Sequence, residues 1–428
     1  MLDPKFVRDN IIKIKASETK RGHGTKFLEA FLKNDEFWRK SKAKNEKLKQ
    51  KRNIVSREIN HFKKQNKGVM TKIKDMRKVS DAIKLNERRV VEYFRRRNDA
   101  LSKIGNILDP SVPKGKDDSQ NVPLKHIGRR PNFNFQIKDH IELGKSLDLF
   151  EFDTASKVSG SRFYYLKNEA VILDMALQRY AVDKLIKSKF KMFWPPLMLN
   201  RAALSGGVNL SEFKDTIYKI DGSDLYLIGT SEHPLVALKK DQVIPEHELP
   251  MRIGGVSVCF RREAGSHGRD TKGIFRVHQF NKVEQVVYCT PEESPKFFKE
   301  LQRNSEEMFK ELGIPFRVVN ICTGDLGNKQ ILQYDIEAWF PGQKNKKGAY
   351  REVTSCSNVT DYQAVTLNTK FLRKNSSERE YVHMLNNTAL ATSRVIVAIL
   401  ENFQQKDGSV IIPKALWKYT GFKIIKPK

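Results

Sequence analysis

Two long stretches of polar, helix-forming sequence separated by a single break constrain this chain more than any other feature. From Phe27 a four-three spacing runs through Phe31, Asn34, Trp38, Ser41, Asn45, Leu48, Arg52, Val55 and Ile59 to Phe62. After Asn66-Lys67-Gly68 a second track runs through Ile73, Met76, Ser80, Ile83, Glu87, Val90, Phe94, Arg97, Leu101 and Ile104. Residues at this spacing fall on one stripe of a helix, where a partner helix packs. The break makes two antiparallel helices the simplest arrangement. At a rise of roughly 1.5 Å per residue, about 40 residues give an arm on the order of 60 Å long. Polar residues within both stripes mean that the pair is weakly held or meets a partner. The first 100 residues carry 30 Lys and Arg against 13 Asp and Glu, an excess of 17 in a chain whose formal net charge is +29. A polyanion gains affinity from every phosphate neutralised, so the arm is a candidate nucleic-acid-binding element, with a solvated helix pair as the alternative. The basic residues spread over both helices, unlike the basic region of a zipper-type DNA reader.

At 428 residues the chain is long enough for two or three domains. No run of about 18 apolar residues appears, so no membrane span is expected. The first residues, MLDPKFVRDNIIKIK, carry early acidic groups and no uninterrupted apolar run, which argues against a secretory leader and makes the cytosol the expected compartment. Cys259, Cys289, Cys322 and Cys356 are widely spaced with no zinc-ligand pattern, so free thiols and no zinc are expected. The Pro-, Gly- and Asp-rich stretch 109–131 reads as a linker, dividing an arm (1–108) from a second domain (132–428).

Within that domain the patterning predicts helices near 167–189, 291–312 and 389–402. Strands are predicted near 193–199, 216–228, 256–263, 275–288, 316–322, 332–340 and 349–355. Turns rather than crossover helices join most of these strands, which implies an α+β fold with an antiparallel sheet and helices segregated around it. Neither G-x-G-x-x-G nor G-x-x-x-x-G-K-[ST] is present, so a nucleotide here must be bound another way. The stretch Val256 to Val287 reads as a β-hairpin whose loop holds Gly265, Gly268 and Gly273. Alternation places Arg276, His278, Phe280, Lys282 and Glu284 on one face and Val277, Gln279, Asn281, Val283 and Gln285 on the other. Arg261 and Glu263 pair on the incoming strand. A cation for a phosphate, a ring for a base and an acid for an amine suit ATP bound beside an amino acid, although a charged hairpin also serves as a solvated ribbon.

The whole chain resembles the seryl-tRNA synthetases, a branch of the class II aminoacyl-tRNA synthetases. The resemblance rests on the basic arm, the ILDPSVP segment, the helix Leu166 to Lys189 ending in FWPPLMLN, the hairpin FRREAGSHGRDTKGIFRVHQF, the TSE triplet at Thr230 to Glu232, the EVTSCSN run from Glu352, and LNNTALATSRVIVAILEN. It implies a class II catalytic domain that activates L-serine with ATP and transfers it to tRNA(Ser), and to tRNA(Sec) where one exists. It further implies a homodimer through the helix Leu166 to Lys189 and the FWPPLMLN segment that ends it. By the same resemblance Arg261 contacts the α-phosphate and the serine carboxylate, with Arg262 beside it, and Glu263 contacts adenosine. Phe280 stacks on adenine, the backbone from Val277 through His278 and Gln279 borders the base, and Arg276 and Arg394 hold the outer phosphates. Glu352 and Ser355, with Val353 and Thr354 between them, hold Mg²⁺ and the α-phosphate. Serine lies among Thr230, Ser231, Glu232, Arg261, Glu284, Asn386 and Thr388.

The chemistry this implies is coherent. A serine carboxylate of pKa about 3.5 is already ionised and needs no general base to attack phosphorus, so charge stabilisation carries the first step. Polar partners for the serine hydroxyl reject alanine by leaving buried groups unsatisfied, whereas threonine must be refused sterically. His278 is expected to be structural more readily than catalytic. The Gly-rich tip, Gly265 to Gly273 with Arg269, is expected to close over the tRNA end. Several positions depart from common family residues: Lys189, Gly229, Ser231, His233 and Asn387. Glu352 and Ser355 have opposite strand parity, so both reach one ligand only if a bulge or a strand end falls there. A catalytically silent paralogue that binds tRNA, and a class II synthetase for another amino acid, are the alternative readings.

Overall fold

The computed structural model describes residues 1–208, 215–263, 272–374 and 376–428. They form two compact units, Met1–Ile107 and Leu108–Lys428.

The first unit opens with short helices at Pro4–Asp9 and Ile11–Arg21, the former capped by the Asp3 side chain. Two long helices follow, α1 (Lys26–Lys64) and α2 (Met70–Leu101). At roughly 1.5 Å per residue they are about 58 and 48 Å long. They are antiparallel: Phe37 stacks on Tyr93, Lys49 pairs with Glu87 and Glu58 with Lys72. Along α1 the expected stripe is buried at Phe31 and Asn45, but Arg52 is exposed and Leu28 and Asp35, off the stripe, are buried. On α2 the inward residue is Asn86, whose amide donates to the Ser41 carbonyl at 2.7 Å, while Glu87 and Phe94 are exposed. The reason is a 3.6-residue turn, which drifts against a strict 3.5-residue count over several turns. At the arm's base Asp35, only 1% exposed, lies within 3.2 Å of Arg8, 2.9 Å of Arg39 and 2.9 Å of Arg97. The Arg97 guanidinium also lies 4.6 Å from the Trp38 ring centroid.

The second unit is built on an eight-stranded sheet. Its strands are β1 (Val122–Ile127), β2 (Lys191–Phe193), β3 (Met251–Phe260), β4 (Gln279–Cys289), β5 (Phe316–Asn320), β6 (Leu332–Phe340), β7 (Ala349–Asn358) and β8 (His383–Ala391). Their spatial order is β1-β5-β6-β7-β8-β4-β3-β2. Every pairing is antiparallel except the edge pair β2–β3. Three helices, α3 (Glu169–Lys187), α4 (Ser294–Glu311) and α5 (Thr392–Asn402), pack on this unit's larger core.

The alternation predicted for the outgoing hairpin strand holds from Gln279 onward. Asn281 donates to Asp174 of α3 and Gln285 to Ser305 of α4, so odd residues face the helices. Even residues face the other way, and there Val286 and Tyr288 join a second core with Leu235, Ile244 and Phe371. The sheet is therefore covered on both faces, and the even face changes along β4 from a polar site to a packed core.

Four expectations need correction. Val122–Ile127, inside the presumed linker, is the edge strand β1, paired with β5 from Val122 opposite Asn320 to Ile127 opposite Phe316. Its residues are mostly exposed, so it lacks the alternation by which a half-buried strand is recognised. Ala389–Ala391 end β8, and the helix begins at Thr392. Arg276, Val277 and His278 precede β4 rather than belonging to it. The predicted strand at 216–228 shrinks to Leu225–Leu227, paired with Met198–Asn200 across from the Pro195-Pro196 break. Lys189 has φ 64°, a left-handed conformation that glycine adopts without strain.

Asp35→Ala should destabilise the first unit by about 3–5 kcal/mol, because the buried Arg97 loses its carboxylate. Arg39→Ala, which removes a half-exposed partner, should cost less than about 1 kcal/mol. Denaturant titrations followed by helical circular dichroism compare the two.

Candidate active site

The polar part of the even face is built around Glu284, 2% exposed near the middle of β4. In the sheet it stands opposite Thr388 of β8 on one side and Gly255 of β3 on the other. Lys282 Nζ lies 2.5 Å from Glu284 Oε2, and the same oxygen accepts from the Thr230 hydroxyl at 3.2 Å and the Thr388 hydroxyl at 3.4 Å. Burial raises the Glu284 carboxyl above the usual range, and Lys282 opposes that rise. One pleat along β8, Asn386 is 5% exposed and its amide Nδ2, though buried, has no hydrogen-bond partner. A buried unpaired donor is costly unless something supplies an acceptor.

Thr230 also accepts from the Glu232 backbone N–H at 3.1 Å, which fixes the turn that carries both residues. Glu232 Oε1 accepts from Lys329 Nζ at 2.5 Å and from the Gln363 amide at 2.8 Å. Burial pushes the Glu232 carboxyl up, but the Lys329 ammonium, more than the Gln363 amide, brings it below the usual carboxylate range. Ser231 is fully buried behind them and donates to the Gly255 carbonyl at 3.4 Å. A Cβ on Gly255 would come within 2.8 Å of Leu235 and 3.0 Å of Ser231, so glycine there lets the triplet pack onto β3. His233 is buried, which lowers its pKa to about 3 and leaves the imidazole neutral.

Beside this acidic floor lies a cleft lined by Arg261, Glu263, Arg276, Val277, Phe280, Glu352, Val353 and Arg394 among others. The Arg261 guanidinium lies 5.3 Å from the Phe280 ring centroid and donates to the Gly229 carbonyl at 3.1 Å. Arg276 pairs with Glu263 at 2.8 Å. Strands β7 and β8 pair only over Cys356–Asn358, so they diverge beyond it. Arg394, in the first turn of α5, donates to the Glu352 carbonyl at 2.8 Å and lies 3.4 Å from its carboxylate. The β6–β7 register slips at Val353, which has no partner between Glu352 opposite Glu337 and Thr354 opposite Ile336. That bulge removes the parity conflict and lets Glu352 and Ser355 share a side. Asp335, opposite Ser355, is buried and its carboxyl is pushed well up by that burial and by Glu352.

Not every expected residue reaches the cleft. Arg262 and Gln279 are exposed, and neither lines the cleft. Thr354 is 1% exposed and packed inside. His278 shares its Nδ1 with the Arg261 carbonyl at 2.7 Å, receives the Arg261 N–H on its own carbonyl at 2.9 Å and stacks near Phe163, so it clamps the hairpin. Gly265, Gly268 and Arg269 lie outside the described residues. Lys282, Lys329, Gln363 and Asp335 were not assigned to a site from sequence; alternation placed Lys282 beside Glu284, whereas Lys329 and Gln363 meet Glu232 only through the fold.

An antiparallel sheet carrying an arginine-lined cleft next to a buried acidic pocket defines a class II aminoacyl-tRNA synthetase core. Residues 216–403 match the tRNA synthetase class II core domain (G, H, P, S and T), and residues 1–108 match the seryl-tRNA synthetase N-terminal domain. Serine–tRNA ligase from Pyrococcus horikoshii is 45% identical over 100% of this chain and 98% of that protein. The same-named protein of Methanoregula boonei is 44% identical over 98% of both. The solved seryl-tRNA synthetase of Pyrococcus horikoshii, complexed with ATP, superposes with a TM-score of 0.91 at 45% identity over 100% of each chain. The cytoplasmic serine–tRNA ligase of Naegleria fowleri, in complex with AMP, does so at 0.85 and 35% identity. The chain belongs to the seryl-tRNA synthetase family.

Gly273, with φ 75°, sits where a Cβ would lie 2.0 Å from His140 Nε2. That imidazole cannot yield, since its Nδ1 is 3.0 Å from the fully buried Glu401 carboxylate, which also accepts the Gly342 N–H. Gly273→Ala should therefore cost roughly 2–3 kcal/mol, measured by thermal or denaturant unfolding.

Proposed function

We propose that the chain is an ATP-dependent serine–tRNA ligase, which joins L-serine to ATP as seryl-adenylate with release of pyrophosphate and then transfers serine to the 3′ end of tRNA(Ser). The observation that carries this reading is the adjacency of two chemistries: a cleft ringed by Arg261, Arg276 and Arg394, which also reaches Lys282 and Thr388, and behind these a buried cluster holding Glu284 and Glu232. The first suits a polyphosphate and a carboxylate, the second an ammonium with a neighbouring hydroxyl.

In this reading Arg261 bridges the α-phosphate and the serine carboxylate, bringing nucleophile and electrophile together. Phe280 supplies the ring for adenine, with Val277 bordering it and Glu263 at the adenosine end. Arg276 and Arg394 neutralise the outer phosphates. Glu284 and Glu232 take the serine ammonium and hydroxyl with Thr230, Thr388 and the unpaired amide of Asn386. Glu352 and Ser355 offer hard oxygen ligands on one side of a bulged strand, which fits Mg²⁺. When bound, Mg²⁺ would neutralise phosphate charge alongside the arginines. The serine carboxylate attacks the α-phosphorus, a P–O bond forms as that to pyrophosphate breaks, and the ribose hydroxyl of tRNA then displaces AMP from the acyl carbon. The retention of Arg261, Glu352 and Arg394 at one cleft weighs against a silent paralogue.

The basic arm, residues 1–108, is assigned to tRNA: its exposed Lys and Arg meet the phosphate backbone by charge and shape. A tRNA(Sec), where one exists, presents the same chemistry. Segment 109–131 joins the arm to the catalytic domain, 132–428, and supplies β1. Trp194 at 76% exposure and Met175 at 62%, with Ile172, Ile186, Phe193 and Met198, leave an apolar surface along α3 and the Pro195-Pro196 segment. A second copy of the chain would cover it, giving a homodimer. Among the described residues no helix is long and apolar enough to cross a membrane. Translation in the cytoplasm is the setting this activity implies.

Serine-dependent ATP–pyrophosphate exchange tests the reading, with alanine and threonine as controls; no exchange with any amino acid would sink it. Glu284→Gln should raise the serine KM at least roughly tenfold while leaving the ATP KM nearly unchanged, because it removes a charge-assisted bond to the ammonium alone.

A further inference from the structure

Three elements remote in sequence converge on one oxygen of Glu232. Lys329, in the turn between β5 and β6, places Nζ 2.5 Å from Oε1 and also donates to the Gly207 carbonyl at 3.1 Å. Gln363, 1% exposed in the helix Tyr362–Leu367, donates its amide to the same Oε1 at 2.8 Å. Gly207 ends the helix Arg201–Gly207, so Lys329 ties the wall of the pocket to its floor. The parallel with the neighbouring carboxylate is close: Lys282 occupies Oε2 of Glu284 as Lys329 occupies Oε1 of Glu232. Each of the two glutamates is thus met by a dedicated lysine, which engages one carboxylate oxygen and leaves the other for a ligand.

We propose that Lys329, assisted by Gln363, is a positioning and specificity residue that aims Glu232 at the amino acid; this rests on the serine–tRNA ligase reading above. A carboxylate on a flexible stem and free to turn would accept from an ammonium in many poses and would follow a displaced hydroxyl. With Oε1 fixed between an ammonium and an amide, only Oε2 remains to meet the substrate, in one direction. An oxygen fixed in this way rewards the serine hydroxyl, leaves a polar group unsatisfied with alanine, and cannot retreat to accommodate the extra methyl of threonine. Lys329 touches neither ATP nor the reacting carboxylate in this arrangement, so its influence falls on amino-acid selection.

The test is pyrophosphate exchange by the full-length chain carrying Lys329→Met. The serine KM should rise roughly tenfold to a hundredfold, as expected when a charge-assisted bond is lost, with the ATP KM unchanged. The preference for serine over threonine in kcat/KM should fall by roughly tenfold. Gln363→Met should shift the same two quantities in the same direction by less, and it decides the matter if the lysine variant does not fold. Because the four native cysteines are buried, Lys329→Cys alkylated with 2-bromoethylamine rebuilds the ammonium selectively and should restore both quantities. A folded Lys329→Met or Gln363→Met protein with unaltered serine KM and unaltered threonine discrimination overturns the proposal. So does an equal loss toward serine and ATP that alkylation fails to repair. If the unsubstituted chain shows no serine-dependent exchange, the ligase reading itself fails and takes this assignment with it.

Discussion

A carboxylate buried in the middle of a β-sheet is the constraint around which the catalytic unit is arranged. Glu284 is 2% exposed, so its charge must be met by neighbours rather than water. The neighbours come from three directions: Lys282 along the same strand, Thr388 across the β8 pairing and Thr230 from the TSE turn. Each depends on a different structural decision. Strand alternation supplies the first, sheet order the second, and the close approach allowed by Gly255 the third. The helix face of the same strand is tied just as tightly, through Asn281 to Asp174 and Gln285 to Ser305, so the strand can neither slip nor roll.

The arginine cleft arises from irregularity next to that regular sheet. Where β7 and β8 stop pairing, backbone carbonyls lose their ladder partners and must find others. Arg394 takes the Glu352 carbonyl, which anchors the first turn of α5 at the mouth of the cleft. The bulge at Val353 then redirects Glu352 so that it and Ser355 serve one side. On the far wall, Glu263 sits at φ 48° and is held there by Arg276, a strained backbone of the kind found where a loop leaves a site. Opposite charges paired with one another in this way keep the guanidiniums extended at the cleft.

The arm follows a different logic. Its stripes contain Asn45, Asn86 and Arg97 among the buried residues, so helix pairing has polar positions at which register is set. Cohesion is concentrated at the base, around Asp35 and its three arginines, and basic side chains remain exposed along the rest. A surface of that kind binds phosphates without reading bases.

Local pattern was enough for everything that repeats at short range. The two helices and the turn between them, and the strand parity that puts Lys282 with Glu284, could be read from the amino-acid sequence, because propensity and periodicity are properties of neighbouring residues; Thr230, Glu352 and Arg394 were singled out only through resemblance to a family. Even the need for a bulge or strand end between Glu352 and Ser355 was legible; that it is a bulge, at Val353, was not. The sequence was misleading where exposure removed the signal, as in β1, and where an apolar run continued from strand into helix at Ala389–Thr392. Only the tertiary structure decided that Lys329 and Gln363 converge on Glu232, that Gly273 rests on His140, and that β7 parts from β8 to admit Arg394. These contacts join residues far apart in the chain, and they are selected by how whole layers pack, which leaves no periodic trace in the sequence itself.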